Sequence, residues 1–241
     1  MNGGISVIIP VVDEAELIGK TVKQFTSHLQ SDKLEVIVVD GGSKDETKNV
    51  ALRNGAIVLQ SAKRCRASQM NLGASTARYS ILYFVHADVQ VPKSFYEDIV
   101  FSIYKKFSCG CYRSGYDRYP GLMLLNSFMT RFNILTFRGG DQTLFVTKEL
   151  FQKLNGFDEY YTIMEDYDFI KRIWKAKIPF DLIQKDVIIS TRKYENNSWL
   201  RVQIANGVAM SMFKRGKDPE EIKKAYRKCL NYKEENYLPS Q

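Results

Sequence analysis

Histidine is nearly missing from this chain: 241 residues hold only His28 and His86. The four cysteines, Cys65, Cys109, Cys111 and Cys229, form no CxxC pair, so the spacing of a zinc site is lacking and the thiols read as reduced, structural residues. No apolar run reaches the roughly 18 residues that a membrane-spanning helix needs. Met1 to Gly4, ahead of the first strand-like run, has neither the length nor the charge of a secretory signal. A cytoplasmic protein is expected. Neither a Walker loop nor a Gly-x-Gly-x-x-Gly sequence occurs, which argues against a P-loop nucleotide hydrolase and an ordinary dehydrogenase. There is no internal repeat and no low-complexity stretch.

What is present is enough for a packed domain. Hydrophobic residues make up 44% of the chain and aromatics 12%, which excludes disordered and fibrous classes. The net charge of +8 is unevenly placed. Residues 1–170 carry 19 basic and 19 acidic side chains, and residues 171–241 carry 16 and 8. A basic last third fits an anionic partner, nucleic acid or an anionic lipid surface, or else a solvated lysine-rich helical face.

Strand-like runs at 5–10, 34–39, 56–60 and 80–85 alternate with helical periodicity. Leu17, Ile18, Val22, Phe25 and Leu29 recur at steps of three and four and mark an amphipathic helix. Strand–helix alternation predicts an α/β protein with a parallel, doubly wound sheet. Gly41 and Gly42 make a tight exit from the second strand, and Ser43 with Glu46 reads as a capping box opening the next helix. Leu122, Leu125, Phe128, Met129 and Phe132 form an apolar helical stripe that is expected in the core, with a movable flap on the acceptor side as the alternative. Thr143 to Val146 resembles a returning strand. Lys148 to Leu154 reads as a short helix closed by Asn155 and Gly156. From Ser198 to Arg215 the chain is apolar nearly all round, which suits burial against the main domain or a membrane interface, burial being commoner.

Two of the strand-like runs end in acids, Asp40 and Asp88, and the first leads into Asp13 and Glu14. Open α/β sheets bind ligands at the carboxyl ends of their strands, so these acids suggest a cleft for a nucleotide and a metal. An ion bridging two phosphates needs only one or two protein carboxylates. Asp88 suits that task, and strand alternation puts His86 on the same side, as an assisting ligand or a space-filler. Asp40, beside the amides of Gly41 and Gly42, is placed to bind a base or ribose. Arg64 or Arg66 would clamp a diphosphate through paired donors. Glu165, Asp166 and Asp168 precede Phe169, Ile170 and Ile173, so they open a helix, where the dipole alone favours acids.

The series Ser6 to Pro10 with Asp13 and Glu14, Val38 to Thr47, His86-Ala-Asp88, and Glu165-Asp166 resembles family-two inverting glycosyltransferases of the GT-A fold. More narrowly, Arg64 to Asn71, Gly140-Asp141-Gln142 and Ser190 to Glu195 are similar to a bacterial subgroup. The likeness runs over about residues 5–196. It implies a GT-A-like domain over 1–196, a mostly parallel central sheet flanked by helices, and a basic C-terminal helical extension over 197–241. It implies transfer with inversion from a nucleotide diphosphate sugar to an acceptor hydroxyl or phosphate, with Mg or Mn held on the diphosphate by Asp88. Asp13 or Glu14 would contact the base and ribose together with Asp40, and Pro10, Arg64, Arg66, Gln69 and Asn71 would belong to the same nucleotide-sugar site. Gly140, Asp141 and Gln142 would border sugar and acceptor, and Arg192 would reach the phosphates late. Asp166 would be the general base, with Glu165 beside it in the catalytic pair. In this chain His86-Ala-Asp88 replaces the usual acidic pair, and Asp13 an asparagine. A lipid-linked acceptor at an anionic membrane surface is expected from the apolar helix and basic tail, with no nucleic acid partner. The alternatives are a sugar-phosphate nucleotidyltransferase and a non-catalytic nucleotide-sugar sensor.

Overall fold

The computed structural model describes residues 4–27, 32–118, 121–138 and 143–230. Leu29, Gly140, Asp141 and Gln142, each given a role above, lie outside them, as do residues 231–241 of the C-terminal extension.

The strand–helix alternation is realised in the first half. Strands β1 (Ile5–Val11), β2 (Leu34–Asp40), β3 (Ile57–Gln60) and β4 (Ile81–Phe84) are parallel, in the order β3-β2-β1-β4. Helices α1 (Ala15–Thr26), α2 (Thr47–Arg53) and α3 (Arg66–Thr76) connect them. Beyond β4 the sheet becomes mixed. Strand β7 (Leu144–Thr147) runs antiparallel to β4, then come β6 (Cys109–Tyr116), β8 (Asp181–Ile189) and the two-residue β5 (Val89–Gln90) at the edge. Strands β6 and β8 pair parallel to each other, so the expected mostly parallel sheet is realised, and only β7, which returns from the 122–138 excursion, and the edge strand β5 run in the opposite direction.

Both faces of the sheet are covered, which explains why β1 and β2 read as unbroken apolar runs. Alternate residues serve opposite layers. Ile5, Val7 and Ile9 pack with Ile18, Val22 and Phe25 of α1, whereas Ile8, Ile37 and Val39 pack with Ala67, Met70 and Ala74 of α3. The second layer also holds Leu150 and Phe151 of α6 (Lys148–Lys153) and Phe169 and Ile173 of α7 (Glu165–Lys175). Gly73 lets α3 approach: a Cβ there would stand 2.5 Å from Ile8 Cγ2 and 3.1 Å from Val39 Cγ2. Gly73→Ala is expected to cost about 1–3 kcal/mol through overpacking, read from denaturant unfolding.

Two stretches depart from expectation. Helix α5 (Met123–Met129) buries Met123, but Leu122, Leu124, Leu125, Phe128 and Phe132 are exposed, so the stripe is not core. Helix α8 (Trp199–Lys214) buries Val202, Ala205, Ala209, Met210 and Phe213 against protein. Its partners are α9 (Pro219–Cys229) through Ile222, and Met164, Tyr161 and Tyr167 around the start of α7. Burial is therefore the main fate of α8. Among the described residues no helix is long and apolar enough to cross a membrane. The cysteines are free, and burial pushes the thiols of Cys109 and Cys111 up to about 12 and about 11, in keeping with inert thiols.

Candidate active site

The site is built where β1 and β2 end. Asp13 has a left-handed backbone (φ 53°), a conformation that Asp and Asn accept better than most residues. The turn it makes is stitched to the loop after β2. The Asp13 amide donates to Ser43 Oγ at 2.9 Å, and the Lys44 amide donates to Asp13 Oδ1 at 2.7 Å. The amides of Glu14 and Ala15, unpaired donors at the start of α1, donate to Thr47 Oγ1 (2.8 Å) and Asp45 Oδ2 (3.1 Å). Helix α1 is thus capped by side chains some 30 residues away in sequence. Asp45 accepts these bonds as a carboxylate. Its pKa lies below the ordinary value because hydrogen bonds from Thr47 and Ala15 outweigh the upward push of burial.

This stitching replaces the expected capping box. Ser43 donates to Asp40, α2 starts at Thr47, and Asp45 Oδ1 accepts the Thr47 amide at 3.0 Å. Asp40 is 0% exposed, and its carboxylate accepts the amides of Gly42 (3.0 Å) and Ser43 (3.1 Å). Asp40 shapes the turn. Gly41 is needed for packing, since a Cβ would meet Val12 Cγ2 at 2.8 Å. Gln69 and Asn71 make structural bonds. Gln69 Nε2 donates to the carbonyls of Val11 and Val39, tying the ends of β1 and β2, and Asn71 is bonded to both backbone groups of Phe157. Pro10 lies half-buried on β1 opposite Val39.

Asp88 stands in a turn after β4 and not at the strand tip, so strand alternation does not strictly apply. Yet exposure still alternates: His86 and Asp88 are half-exposed between buried Val85, Ala87 and Val89. Helix α1 fixes this passage. Thr21 Oγ1 donates to the Ala87 carbonyl, Gln24 Nε2 to the Val89 carbonyl at 2.9 Å, and the Val91 amide to Gln24 Oε1 at 2.9 Å.

Three acid–arginine pairs link these pieces. Arg64 Nη2 meets Asp13 Oδ2 at 3.0 Å, Arg192 Nη2 meets Glu14 Oε1 at 3.1 Å, and Arg66 Nη1 meets Glu165 Oε1 at 3.2 Å. Glu165 is only 2% exposed and opens α7, with half-exposed Asp166 next to it. Met164, left-handed at φ 71°, turns the chain into that helix. Asp168 is occupied with Arg172 at 2.7 Å. Residues far apart in sequence are thus paired here, Asp13 with Arg64, Glu14 with Arg192 and Glu165 with Arg66, and the charge of Asp88 acts on Glu14.

Glu14 has its pKa raised. Burial is the main cause, opposed by Arg192 and reinforced by the negative charges of Asp88 and Asp45. A raised carboxyl adds stability below its unfolded pKa near 4.5 and loses that contribution as pH rises through the folded value. Glu14→Gln is therefore expected to melt higher than the unsubstituted protein at neutral pH, with the gain shrinking as pH falls through the raised folded value and gone below pH 4.5 in a thermal-melt series.

Among the described residues no three His, Cys, Asp or Glu side chains gather into a metal cage. The donor set still fits an ion carried on a diphosphate, which needs only one or two hard carboxylates. The charge of Asp88 acting on Glu14 is the kind of acid crowding that a cation relieves. A cavity of about 610 Å³ lined by Asp32, Arg78, Tyr79 and Lys148 lies at the opposite end of the sheet, away from these acids.

The sequence profile of Glycosyl transferase family 2 matches residues 6–159, more than half the chain and the whole of the stitched loops. The chain belongs to glycosyl transferase family 2. A curated relative, the glycosyltransferase AglE of Haloferax volcanii, is 36% identical over 91 residues, a match that spans 35% of this chain and 30% of AglE. The fold is similar to that of the mannosyltransferase PcManGT of Pyrobaculum calidifontis, solved with GDP-Man and Mn2+ (TM-score 0.66, 20% identity, 92% of this chain and 68% of that one). It is similar as well to S. aureus TarS (0.60, 18%, 84% and 64%). A third is the glucosyl-3-phosphoglycerate synthase of Mycobacterium tuberculosis, solved with Mn2+, UDP and glucosyl-3-phosphoglycerate (0.56, 16%, 86% and 79%). This family-two chain thus has a GT-A-like α/β fold.

Sequence reasoning quoted Asp45 and Thr47 within a motif but gave them no task. Their spacing to Asp40 marks a turn, yet nothing local announces that they cap α1. Arg138 was overlooked as well. Fully buried, it donates from Nη2 to the carbonyls of Thr130 and Phe132 and from Nη1 to Cys111 Sγ at 3.5 Å, fixing the segment that carries α5. An arginine just before the Gly139-Gly140 pair was the only signal.

Proposed function

We propose that this family-two chain transfers a sugar, with inversion, from a nucleoside diphosphate sugar to an acceptor hydroxyl or phosphate. The observation that carries the reading is the set of three acid–arginine pairs, Asp13–Arg64, Glu14–Arg192 and Glu165–Arg66, that gather residues from the end of β1, the start of α3, the start of α7 and the turn after β8, with the charge of Asp88 acting on Glu14. A donor diphosphate needs cationic partners at one end of such a site and a base at the other.

In this reading Arg64 and Arg192 leave Asp13 and Glu14 for the diphosphate oxygens, exchanging one anion for another at small net cost. Paired guanidinium donors orient the diphosphate and neutralise charge as it departs. Asp88, with Glu14 near and His86 beside it, would hold Mg or Mn, and the ion would act as a Lewis acid on the leaving diphosphate. Asp166 takes the proton of the acceptor O–H while that oxygen bonds to the anomeric carbon and the bond to the diphosphate breaks on the opposite face. The salt bridge of Arg66 to buried Glu165 holds the start of α7, so that Asp166 meets the acceptor at a fixed angle.

The test is a panel of GDP and UDP sugars scored by thermal shift with and without manganese, followed by assay of nucleoside diphosphate release. A bound donor raises Tm by mass action. If no donor shifts the melt with the ion present, the reading fails.

A further inference from the structure

We propose that the exposed apolar ledge around α5 is a docking surface for an anionic lipid bilayer. Leu122, Leu124, Leu125, Phe128, Phe132 and Ile134 are all more than two-fifths exposed, within thirteen consecutive residues. Scattered exposed apolar residues need no explanation, but a contiguous group of this size marks an interaction surface. Leu124 and Phe128 stand one helical turn apart and share a face, exposed by 62% and 51%, while Met123 points inward and is buried. The ledge is held as built structure. Arg138 ties down Thr130 and Phe132, the Ser114 amide of β6 donates to Thr130 Oγ1 at 3.1 Å, and Asn126 donates to Tyr194 Oη at 3.4 Å.

Charge decides the occupant. From 118 to 138 the sequence has no acid and two exposed arginines, Arg118 and Arg131, beside the buried Arg138, and α8 likewise has no acid. Arg131 is exposed, with its guanidinium 6.0 Å from the Phe128 ring centre. Helix α8 joins the same region through Lys214, whose Nζ donates to Thr136 Oγ1 at 3.3 Å, and exposed Arg215 and Lys217 follow it. Apolar groups ringed by cations match the interface of an anionic bilayer. A second copy meeting this face would set arginine against arginine without a counter-charge, which disfavours a symmetric dimer.

The ledge adjoins the site, because Tyr194, bonded to Asn126, lies in the same short turn as Arg192. A protein docked here would present its donor cleft beside the membrane, so its acceptor would be borne on a lipid. That consequence rests on the transferase reading, whereas docking itself does not.

The experiment is co-sedimentation of the full chain with phosphatidylcholine vesicles, with and without phosphatidylglycerol, in the absence of any donor. Binding is expected only with phosphatidylglycerol, and it should weaken as salt rises. Leu124→Glu with Phe128→Glu is expected to lower vesicle affinity at least about tenfold, because two inserting groups become anions. The same variant should melt close to the parent, since both side chains are exposed. Arg131→Gln, a milder change, should weaken binding to a lesser degree. Absence of binding to phosphatidylglycerol vesicles overturns the proposal, as does binding that the double variant leaves unchanged. A concentration-dependent dimer abolished by the double variant would give the face to a second copy instead. Each failure would leave the thermal-shift test of the transferase reading untouched.

Discussion

Asp166→Asn is expected to lower kcat by about 10²–10⁴-fold while the thermal shift caused by donor and manganese persists, since general-base catalysis contributes on that scale. The substitution keeps size and shape and removes the proton acceptor. Helix-dipole capping by Asp166 alone, the competing account of an acid in a first turn, is worth about 0.3–1 kcal/mol and would show as a slightly lower Tm with little change in rate. The two accounts therefore separate on kcat. A variant that releases nucleoside diphosphate at the parental rate would remove Asp166 from the chemistry. Loss of donor binding together with rate would instead point to a disturbed site.

The other large effect is expected far from the chemistry. Phe213→Ala should cost about 3–5 kcal/mol, the usual range for truncating a buried phenylalanine. Phe213 is buried, its ring 5.7 Å from that of Tyr161 and 6.4 Å from that of Tyr167, with Lys171 Nζ 5.5 Å above it. In a chain of this length such a loss lowers Tm by roughly 6–20 °C. A second consequence follows from position. Tyr167 and Lys171 belong to the helix that begins at Glu165 and Asp166, so α8 packs behind the proposed base. The surviving folded fraction is expected to turn over more slowly at unchanged donor affinity. Phe213→Leu, which refills most of the volume, should restore both. A stable variant with parental kcat would show that the C-terminal helices leave the base untouched.

How much of this was legible beforehand depends on whether a signal is local. The strands at Ile5, Leu34 and Ile81 announced themselves because a sheet covered on both faces demands unbroken apolar runs, and α1 because one buried face imposes a period near 3.6. The turn at Asp13 to Glu14 and the acids at 165–168 could be read for the same reason, since turns and first helical turns have their own residue preferences. The stripe at Leu122 to Phe132 was misread. Its periodicity says that one side is apolar, and periodicity is silent on whether anything packs there. Asp40 is a related case, since its part in the turn was not legible. A carboxylate beside two glycines suits a ligand and a closed turn equally well, and only the hydrogen bonds from Gly42 and Ser43 reveal the turn.

By itself, then, the sequence determined a layered α/β domain with acids at the carboxyl ends of its strands, because backbone pairing and apolar burial follow from residue order alone. Only the tertiary structure decided which acids face one another. Asp13 with Arg64, Glu14 with Arg192 and Glu165 with Arg66 are pairs separated by 51, 178 and 99 residues. Coulomb and hydrogen-bond energies act over a few ångströms and take no account of distance along the chain. The fold brings each acid within reach of its arginine, and it leaves Leu125 and Phe128 exposed where the apolar pattern had placed them inside.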